Sequence, residues 1–249
     1  LWKRPWYYPQ AAETIDEAYI REAATTRQTV GMVDVSTLGK IAVQGPDATT
    51  FLNRLYINGF AKLPVGRARY GVMLRDDGMV LDDGTTWRLS DDNYFMTTTT
   101  AQAGRVMQFM EELLQTRWTN LRVHLSSVTD LWAGIAIAGP LARNLLTQAV
   151  PDLDWSDEAF PFMAVRHSTI HIDDAEIECR IARISFSGER AFELYINAGH
   201  GAVVWQYLAN LVKRYDGCLY GMEALGTLRI EKGHVTAAEL DGRVTLEDA

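Results

Sequence analysis

A strand, a Gly-Pro pair and a helix are predicted in succession twice along this chain, and this repeat constrains the fold more than any other feature. Gly139-Pro140 lies 94 residues after Gly45-Pro46, and proline suits the first turn of the helix predicted after each pair. Downstream of each copy, a second strand precedes an amphipathic helix, at 101–117 and at 201–214. The pattern predicts an α+β protein made of two related halves, each a sheet covered by helices.

Length and composition set the limits of this prediction. The 249 residues, 47% of them hydrophobic, are enough to bury a large core. We expect one domain over residues 1–249, with one half formed by roughly 1–45 with 126–249 and the other by 46–125. The net charge of -8 argues against nucleic acid, because phosphate contacts need clustered Lys and Arg, and favours a small-molecule substrate or a protein partner. The two cysteines are isolated and no apolar run is long enough for a bilayer, so we expect a cytoplasmic protein without membrane association.

Residues 70–89 contain two Asp-Asp-Gly triplets, which the pattern assigns to different roles. The first contains Asp77-Gly78, and this dipeptide is typical of the centre of a two-residue type I′ hairpin loop, because glycine adopts a positive φ without strain. Side chains alternate between the two faces of a strand with period two. With this loop, Tyr70 and Asp83 share one otherwise apolar face, and Asp82 points to the opposite face.

Asp83 is therefore predicted to be a half-buried acid among aliphatic side chains. Tyr70 lies within diagonal cross-strand reach of it, and burial of this kind raises the pKa of a carboxyl group. Acids in such positions are candidates for functional sites. The structural alternative is that Asp83 caps a β-bulge at Gly84. Asp82 is expected on the outer face, near Arg88.

Three other polar features have ordinary structural interpretations. His167 and His171 share a face of a predicted strand without an obvious third ligand, so no metal site is expected. The hydroxyls of residues 97–100 are expected to cap the following helix, with use by a ligand as the alternative. Glu193 alternates with apolar neighbours on the returning strand of a predicted hairpin at 184–196, which places it by default on a solvated outer face.

Five segments of the chain resemble the folate-binding domain of the aminomethyltransferase (glycine-cleavage T-protein) family. They are DVSTLGKIAVQGPDATTFLNRL, ARYGVMLRDDGMVLDDGTTWRL, MTTTTA, SFSGERAFELYI and GMEALGTLRIEKGH. The threonine run and DDGTT resemble in particular the C-terminal region of the alpha subunit of heterotetrameric sarcosine oxidases. The resemblance covers nearly the whole chain and implies the α+β fold of that folate-binding domain, with the family's C-terminal β-barrel domain absent.

The resemblance also implies roles for individual residues. Asp83 is implied as the catalytic residue, which interacts with the reactive end of tetrahydrofolate. Tyr70 is implied to line the folate pocket, and Glu193 to bind the pterin. Thr99 and Phe186 are at folate-binding positions where aminomethyltransferases carry Asn and Tyr.

Leu225 is at a position where aminomethyltransferases carry Arg, and these departures favour a sarcosine oxidase role over glycine cleavage. There, tetrahydrofolate converts the iminium product of sarcosine oxidation to 5,10-methylenetetrahydrofolate and glycine. The implied partners are the other sarcosine oxidase subunits, including the flavin-bearing beta subunit, and the upstream region of the same alpha chain. Flavin and NAD are expected only elsewhere in the full complex. The alternatives are a free-standing aminomethyltransferase and a non-catalytic domain that senses folate or docks onto an oxidase subunit.

Overall fold

The structure, a computed structural model, describes residues 3–236 and residue 239. The described chain is an α+β protein that divides into two compact units, each with one β-sheet. The first unit contains the chain up to Thr37 and Asp130–His234, and the second contains Leu38–Thr129. The chain thus passes into the second unit before Gly39–Gln44, rather than near residue 45, because that strand pairs within the second sheet.

The described residues form six α-helices and eleven strands. The helices are α1 Ile15–Gln28, α2 Ala48–Leu55, α3 Ala103–Glu112, α4 Ala142–Ala149, α5 Gly201–Arg214 and α6 Met222–Lys232. The strands are β1 Gly31–Asp34, β2 Gly39–Gln44, β3 Arg67–Leu74, β4 Val80–Ser90, β5 Asn93–Thr98, β6 His124–Ser127, β7 Trp132–Ala138, β8 Val165–Ile172, β9 Ala175–Ala182, β10 Ala191–Asn197 and β11 Cys218–Leu219. The six-stranded sheet of the first unit has the order β11-β1-β7-β10-β9-β8, and the five-stranded sheet of the second has the order β3-β4-β5-β2-β6.

The repeated Gly-Pro pairs adopt the same backbone geometry in the two units. Gly45 has φ of 127° and Gly139 has φ of 132°, a region that L side chains rarely adopt. A Cβ at Gly45 would lie 2.3 Å from the carbonyl oxygen of Arg122, and one at Gly139 would lie 2.4 Å from that of Thr29. Both positions therefore need glycine for the same two reasons, as expected for two related halves.

Each sheet is covered by its own helices. In the first unit, α4 and α5 contribute buried apolar side chains to one core cluster with β1, β7, β9 and β10. In the second, α2 and α3 form a separate cluster with β2, β3, β4 and β5. Full burial of a side chain such as Leu or Phe stabilises a fold by about 1.5–3 kcal/mol, so each unit has a substantial core of its own.

The loop of the β3–β4 hairpin differs from the predicted type. The amide of Gly78 donates to the carbonyl of Arg75 at 2.9 Å, and the amide of Arg75 donates to the carbonyl of Met79 at 2.8 Å. The loop is therefore three residues long, with Gly78 at φ of 85° in its last position. The prediction of a two-residue type I′ loop centred on Asp77-Gly78 was wrong, although a glycine with positive φ is needed.

A β-bulge in β4 compensates for the additional loop residue. The pairing shifts by one residue between Met73 and Leu74, which leaves Leu81 without an opposite partner. Beyond the bulge, Val72↔Asp83 and Tyr70↔Thr85 are paired as predicted. Because the two deviations cancel, Tyr70 and Asp83 remain on the same face of the hairpin.

Candidate active site

Tyr70 and Asp83 form a hydrogen-bonded pair in the second unit. The Tyr70 hydroxyl on β3 donates to Oδ2 of Asp83 on β4 at 2.8 Å, in the diagonal relation that the sequence predicts. Both residues are half-buried. Burial, followed by the hydrogen bond and the charge of Asp83, raises the pKa of Tyr70 well above its ordinary value. The phenol therefore stays protonated and can hold the Asp83 carboxylate in one orientation.

Asp82, on the other face of β4, is one of the more buried acids of the described chain. Its exposed fraction is 2%, and burial raises its pKa to about 7, with a further contribution from the charge of Asp83. The prediction of an outer-face position near Arg88 was wrong. The cross-strand partner of Asp82 is Met73, which belongs to the core of the second unit. It is therefore the Asp82 face of the hairpin that packs inward.

The threonine run of residues 97–100, which begins at the end of β5, links β5 to β4 through hydrogen bonds. Thr99 donates through its amide to Oδ2 of Asp82 at 3.1 Å and through its hydroxyl to Oδ1 at 2.7 Å. The Thr97 hydroxyl accepts from the amide of Thr85 at 3.0 Å. Thr99 precedes a short 3₁₀ turn, but its side chain makes no capping hydrogen bond there. The prediction that these hydroxyls cap the helix was therefore wrong for Thr99, which binds a carboxylate of the neighbouring strand.

Glu193 lies on β10, an interior strand that pairs with β7 and β9 in the first unit. It is half-buried and accepts a hydrogen bond from the Tyr195 hydroxyl at 3.1 Å. Desolvation raises the pKa of Glu193 to about 7. The default prediction of a solvated outer position was wrong, because Tyr195, on the same face of β10, is fully buried, so this face of the sheet is covered at Glu193. Sequence analysis also missed Tyr195, which the two-residue spacing on one strand would have placed beside Glu193.

Phe186 lies in the connection between β9 and β10, and the predicted strand before this turn is a loop over residues 183–190. Its ring meets the His234 ring edge-on at a centroid distance of 5.0 Å. Arg27 anchors the same loop by donating to the carbonyl of Ser187 at 2.8 Å. Leu225 lies on α6. The predicted site residues are therefore divided between the units: Tyr70, Asp83 and Thr99 lie in the second, and Phe186 and Glu193 lie in the first.

A cavity of about 330 Å³ lies beside the edge strand β8 of the first unit. Its lining includes His167, Trp132 and Arg180, whose guanidinium carbon lies 4.1 Å from the Trp132 ring centroid. Arg180 pairs directly with Tyr195, so the cavity and Glu193 share one face of the sheet. Among residues 3–236 and 239, His, Cys, Asp and Glu form no cluster of three or more suited to a metal ion. Over the same part of the chain, the helices are too short or too polar to cross a bilayer.

Comparisons with known proteins identify several relatives. The family model described as GCVT N-terminal domain matches residues 1–249. The chain is 49% identical over 249 residues to the sarcosine oxidase subunit alpha of Corynebacterium sp. (strain U-96). This match covers 100% of this chain and 26% of that subunit. It is 32% identical over 230 residues to the aminomethyltransferase of Thermotoga sp. (strain RQ2), and that match covers 92% of this chain and 58% of that enzyme. The chain thus spans about a quarter of the length of the first of these relatives.

A solved structure shows the same fold. The crystal structure of glycine cleavage system aminomethyltransferase T from Bartonella henselae matches with a TM-score of 0.76 at 24% sequence identity. The match covers 94% of this chain and 57% of that one. The described α+β architecture is therefore the aminomethyltransferase fold, as the sequence resemblance implied.

Proposed function

This chain belongs to the GCVT N-terminal domain family, and on that premise we propose that it is a tetrahydrofolate-binding part of a sarcosine oxidase alpha subunit. In this role it converts the iminium product of sarcosine oxidation to 5,10-methylenetetrahydrofolate and glycine. The family binds tetrahydrofolate in general. The higher identity to a sarcosine oxidase subunit than to the aminomethyltransferase favours the oxidase role. The proposed partners are the other oxidase subunits, including the flavin-bearing one, and the rest of the alpha chain.

The residues of the first unit suit a pterin in their chemistry. A pterin presents N–H donors along one edge of its ring, and a carboxylate accepts such donors strongly. Glu193 is a half-buried carboxyl whose pKa near 7 lets it adopt either protonation state at neutral pH. Tyr195 donates to its Oε2 atom and so restricts its orientation. We assign Glu193 to pterin binding, and Phe186, which also lies in the first unit, to the apolar lining.

The residues of the second unit suit proton transfer and charge stabilisation. When bound, tetrahydrofolate supplies amine nitrogens that accept the one-carbon unit. Asp83 can accept a proton from an amine and offset developing positive charge nearby. Tyr70 holds the Asp83 carboxylate through their 2.8 Å hydrogen bond, and this pair is the observation that carries the proposal. Thr99 is assigned to the same region through its contact with Asp82, the neighbour of Asp83.

The role of Asp83 is tested by D83N, which preserves the shape of the side chain and removes the charge. We expect D83N to fold and to retain tetrahydrofolate binding in calorimetry, while methylene transfer in a coupled sarcosine oxidation assay falls about 10²–10⁴-fold. The matched control is D76N, which removes an exposed acid from the loop of the same hairpin and should leave transfer unchanged. Transfer by D83N at the wild-type rate would refute the assignment.

The role of Glu193 is tested separately by titration with tetrahydrofolate. We expect E193A to lose most of the binding heat, because it removes the proposed partner of the pterin donors. E193Q keeps an acceptor oxygen and should lose less affinity than E193A. Equal affinity of E193A and the wild type would contradict the assignment.

The alternative enzyme role is an aminomethyltransferase, which the similarity to the Thermotoga enzyme supports. Transfer from an aminomethyl-lipoyl carrier protein, with none from sarcosine oxidation, would favour it. A wild-type chain that produces no heat with tetrahydrofolate would instead indicate a docking domain.

A further inference from the structure

The segment of β4 that carries Asp83 is attached to β5 in an unusual way. The regular pairing of β4 with β5 starts at Thr86↔Met96 and runs away from Asp83. On the Asp83 side of this pair, the backbone of Gly84 approaches β5 so closely that a Cβ would lie 2.1 Å from the carbonyl oxygen of Thr97. Side chains make the connections here in place of a regular ladder.

Two side-chain connections span this part of the strand pair. The first is the Thr97 hydroxyl, which accepts from the amide of Thr85 at 3.0 Å and donates to its carbonyl at 3.1 Å. The second is the Asp82 carboxylate, which receives both the amide and the hydroxyl of Thr99. These connections flank Asp83 and Gly84 on either side. The backbone position of Asp83 thus depends on the contacts that Asp82 and Thr85 make with β5 and the threonine run.

We propose that Asp82 is a positioning residue for Asp83: by holding Thr99 with both carboxylate oxygens, it fixes the segment from which Asp83 reaches Tyr70. This inference rests on the proposed function of Asp83. Asp82 is buried on the face opposite to Asp83, so it acts through the backbone and through its charge rather than by contact with a ligand.

The Asp82–Thr99 contact can persist in both protonation states of Asp82. An ionised carboxylate accepts from the amide and from the hydroxyl of Thr99, whereas a neutral acid accepts from the amide and donates to the hydroxyl. The side chain of Asn can form the same two hydrogen bonds as the neutral acid, so D82N keeps both hydrogen bonds to Thr99 and removes only the charge. D82A removes both hydrogen bonds, and T99V removes the one through the hydroxyl.

Among the residues that the structure describes, Asp82 interacts electrostatically with Asp83, Tyr56 and Tyr70. Of these, Asp83 lies on the same strand, Tyr70 lies on β3, and Tyr56 is bridged to Met73 of β3. The two tyrosines have pKa values raised well above neutrality by burial, so they stay uncharged while Asp82 titrates. A change in the charge of Asp82 near neutral pH therefore acts on Asp83 directly.

The decisive experiment measures methylene transfer and tetrahydrofolate affinity for the full chain and its variants. We expect D82A and T99V to reduce transfer about 10–100-fold, because a displacement of about 1 Å at a reacting group costs this much, with affinity changed less than about threefold. D82N should recover most of the transfer lost in D82A, and the ratio of its rate to that of the wild type should change near neutral pH, because Glu193, whose pKa is also raised to about 7, is common to both proteins and cancels in this ratio. T99V is the second variant if D82A does not fold, and D76N is the unaffected control.

Amide hydrogen exchange in the ligand-free chain tests the positioning role without any enzymatic readout. The amide of Thr85 should exchange about tenfold faster in D82A than in the wild type, while that of Thr86 stays protected. If the wild type does not bind tetrahydrofolate, the proposed function fails, and faster exchange at Thr85 still supports the positioning role. Unchanged exchange at Thr85 in D82A, or a loss of transfer in D82N as large as in D82A, would overturn it.

Discussion

Replacement of the buried acid Asp82 by Asn should stabilise the chain at neutral and alkaline pH. Asp82 is 2% exposed, and burial raises its pKa from the ordinary 3.8 to about 7. The folded protein therefore retains a proton that the unfolded chain releases. Since D82N preserves both hydrogen bonds to Thr99 in the pattern of the neutral acid, the main change is that the side chain can no longer ionise.

The sign and size of the effect follow from proton linkage. Between about pH 4 and about pH 7 the folded state binds more protons at Asp82 than the unfolded state, so this residue reduces the free energy of unfolding as pH rises. A tenfold change in an acid constant corresponds to about 1.4 kcal/mol, and the rise from 3.8 to about 7 therefore corresponds to about 4 kcal/mol. We expect D82N to equal the wild type at about pH 4 and to exceed it by up to about 4 kcal/mol at about pH 8.

The assay is urea denaturation followed by tryptophan fluorescence at a series of pH values. The difference in free energy of unfolding between D82N and the wild type is the relevant quantity, because Glu193 and the other titrating groups are common to both and cancel. The control is D76N, in which an exposed acid loses its ion pair with Arg117. The Asp76–Arg117 pair lowers the pKa of Asp76, so D76N should show the opposite sign and a small amplitude.

A difference between D82N and the wild type that stays constant with pH would refute this reasoning. It would mean that Asp82 is ionised in the folded chain at all pH values tested, or that it titrates as it does when unfolded. In either case desolvation would not control this carboxyl group.

Three further outcomes are expected. Burial raises the pKa of Glu193 to about 7, so ionisation of Glu193 lowers the free energy of unfolding as pH rises. E193Q should not show this decrease, and urea denaturation across the same pH series measures the difference from the wild type. G45A and G139A should each lower the free energy of unfolding by about 1–3 kcal/mol, because both φ angles are positive and a carbonyl blocks each Cβ; G104A, on α3 with open space around it, should instead stabilise by up to about 1 kcal/mol. Y70F should reduce methylene transfer about tenfold with little change in tetrahydrofolate affinity, since it removes the hydrogen bond that orients Asp83, and an unchanged transfer rate would contradict this role.

Local periodicity was sufficient to place Tyr70 and Asp83 on one face. The alternation of side chains along a strand is a property of the backbone. The predicted pairing of Val72 with Asp83 is observed although the predicted loop type was wrong, because the bulge at Leu81 restores the register. The repeat of Gly45-Pro46 and Gly139-Pro140 was likewise readable, since positive φ and a blocked Cβ limit both positions to glycine.

The sequence could not show which face of the hairpin packs inward. That choice depends on helices α2 and α3, which lie outside the hairpin in sequence, and it placed Asp82 in the core against expectation. Glu193 was misplaced for a similar reason, because polar residues alternate with apolar ones when the polar face of a strand is open to solvent and also when it is covered, as it is at Glu193 and Tyr195. Thr99, the partner of Asp82, followed from the packing of the hairpin, whereas Tyr195 could have been recognised from its two-residue spacing to Glu193 on one strand.

The loop of residues 76–78 in the β3–β4 hairpin offers a place to attach a probe. A Cβ built at Gly78 meets no atom within 4 Å, and Asp76 beside it is exposed. The loop lies roughly 15–20 Å from Asp83 along an extended strand, which is within the range of paramagnetic relaxation from a nitroxide. A spin label on a cysteine at position 76 would thus report ligand arrival at Asp83 by magnetic resonance, without alteration of any residue proposed to bind or react.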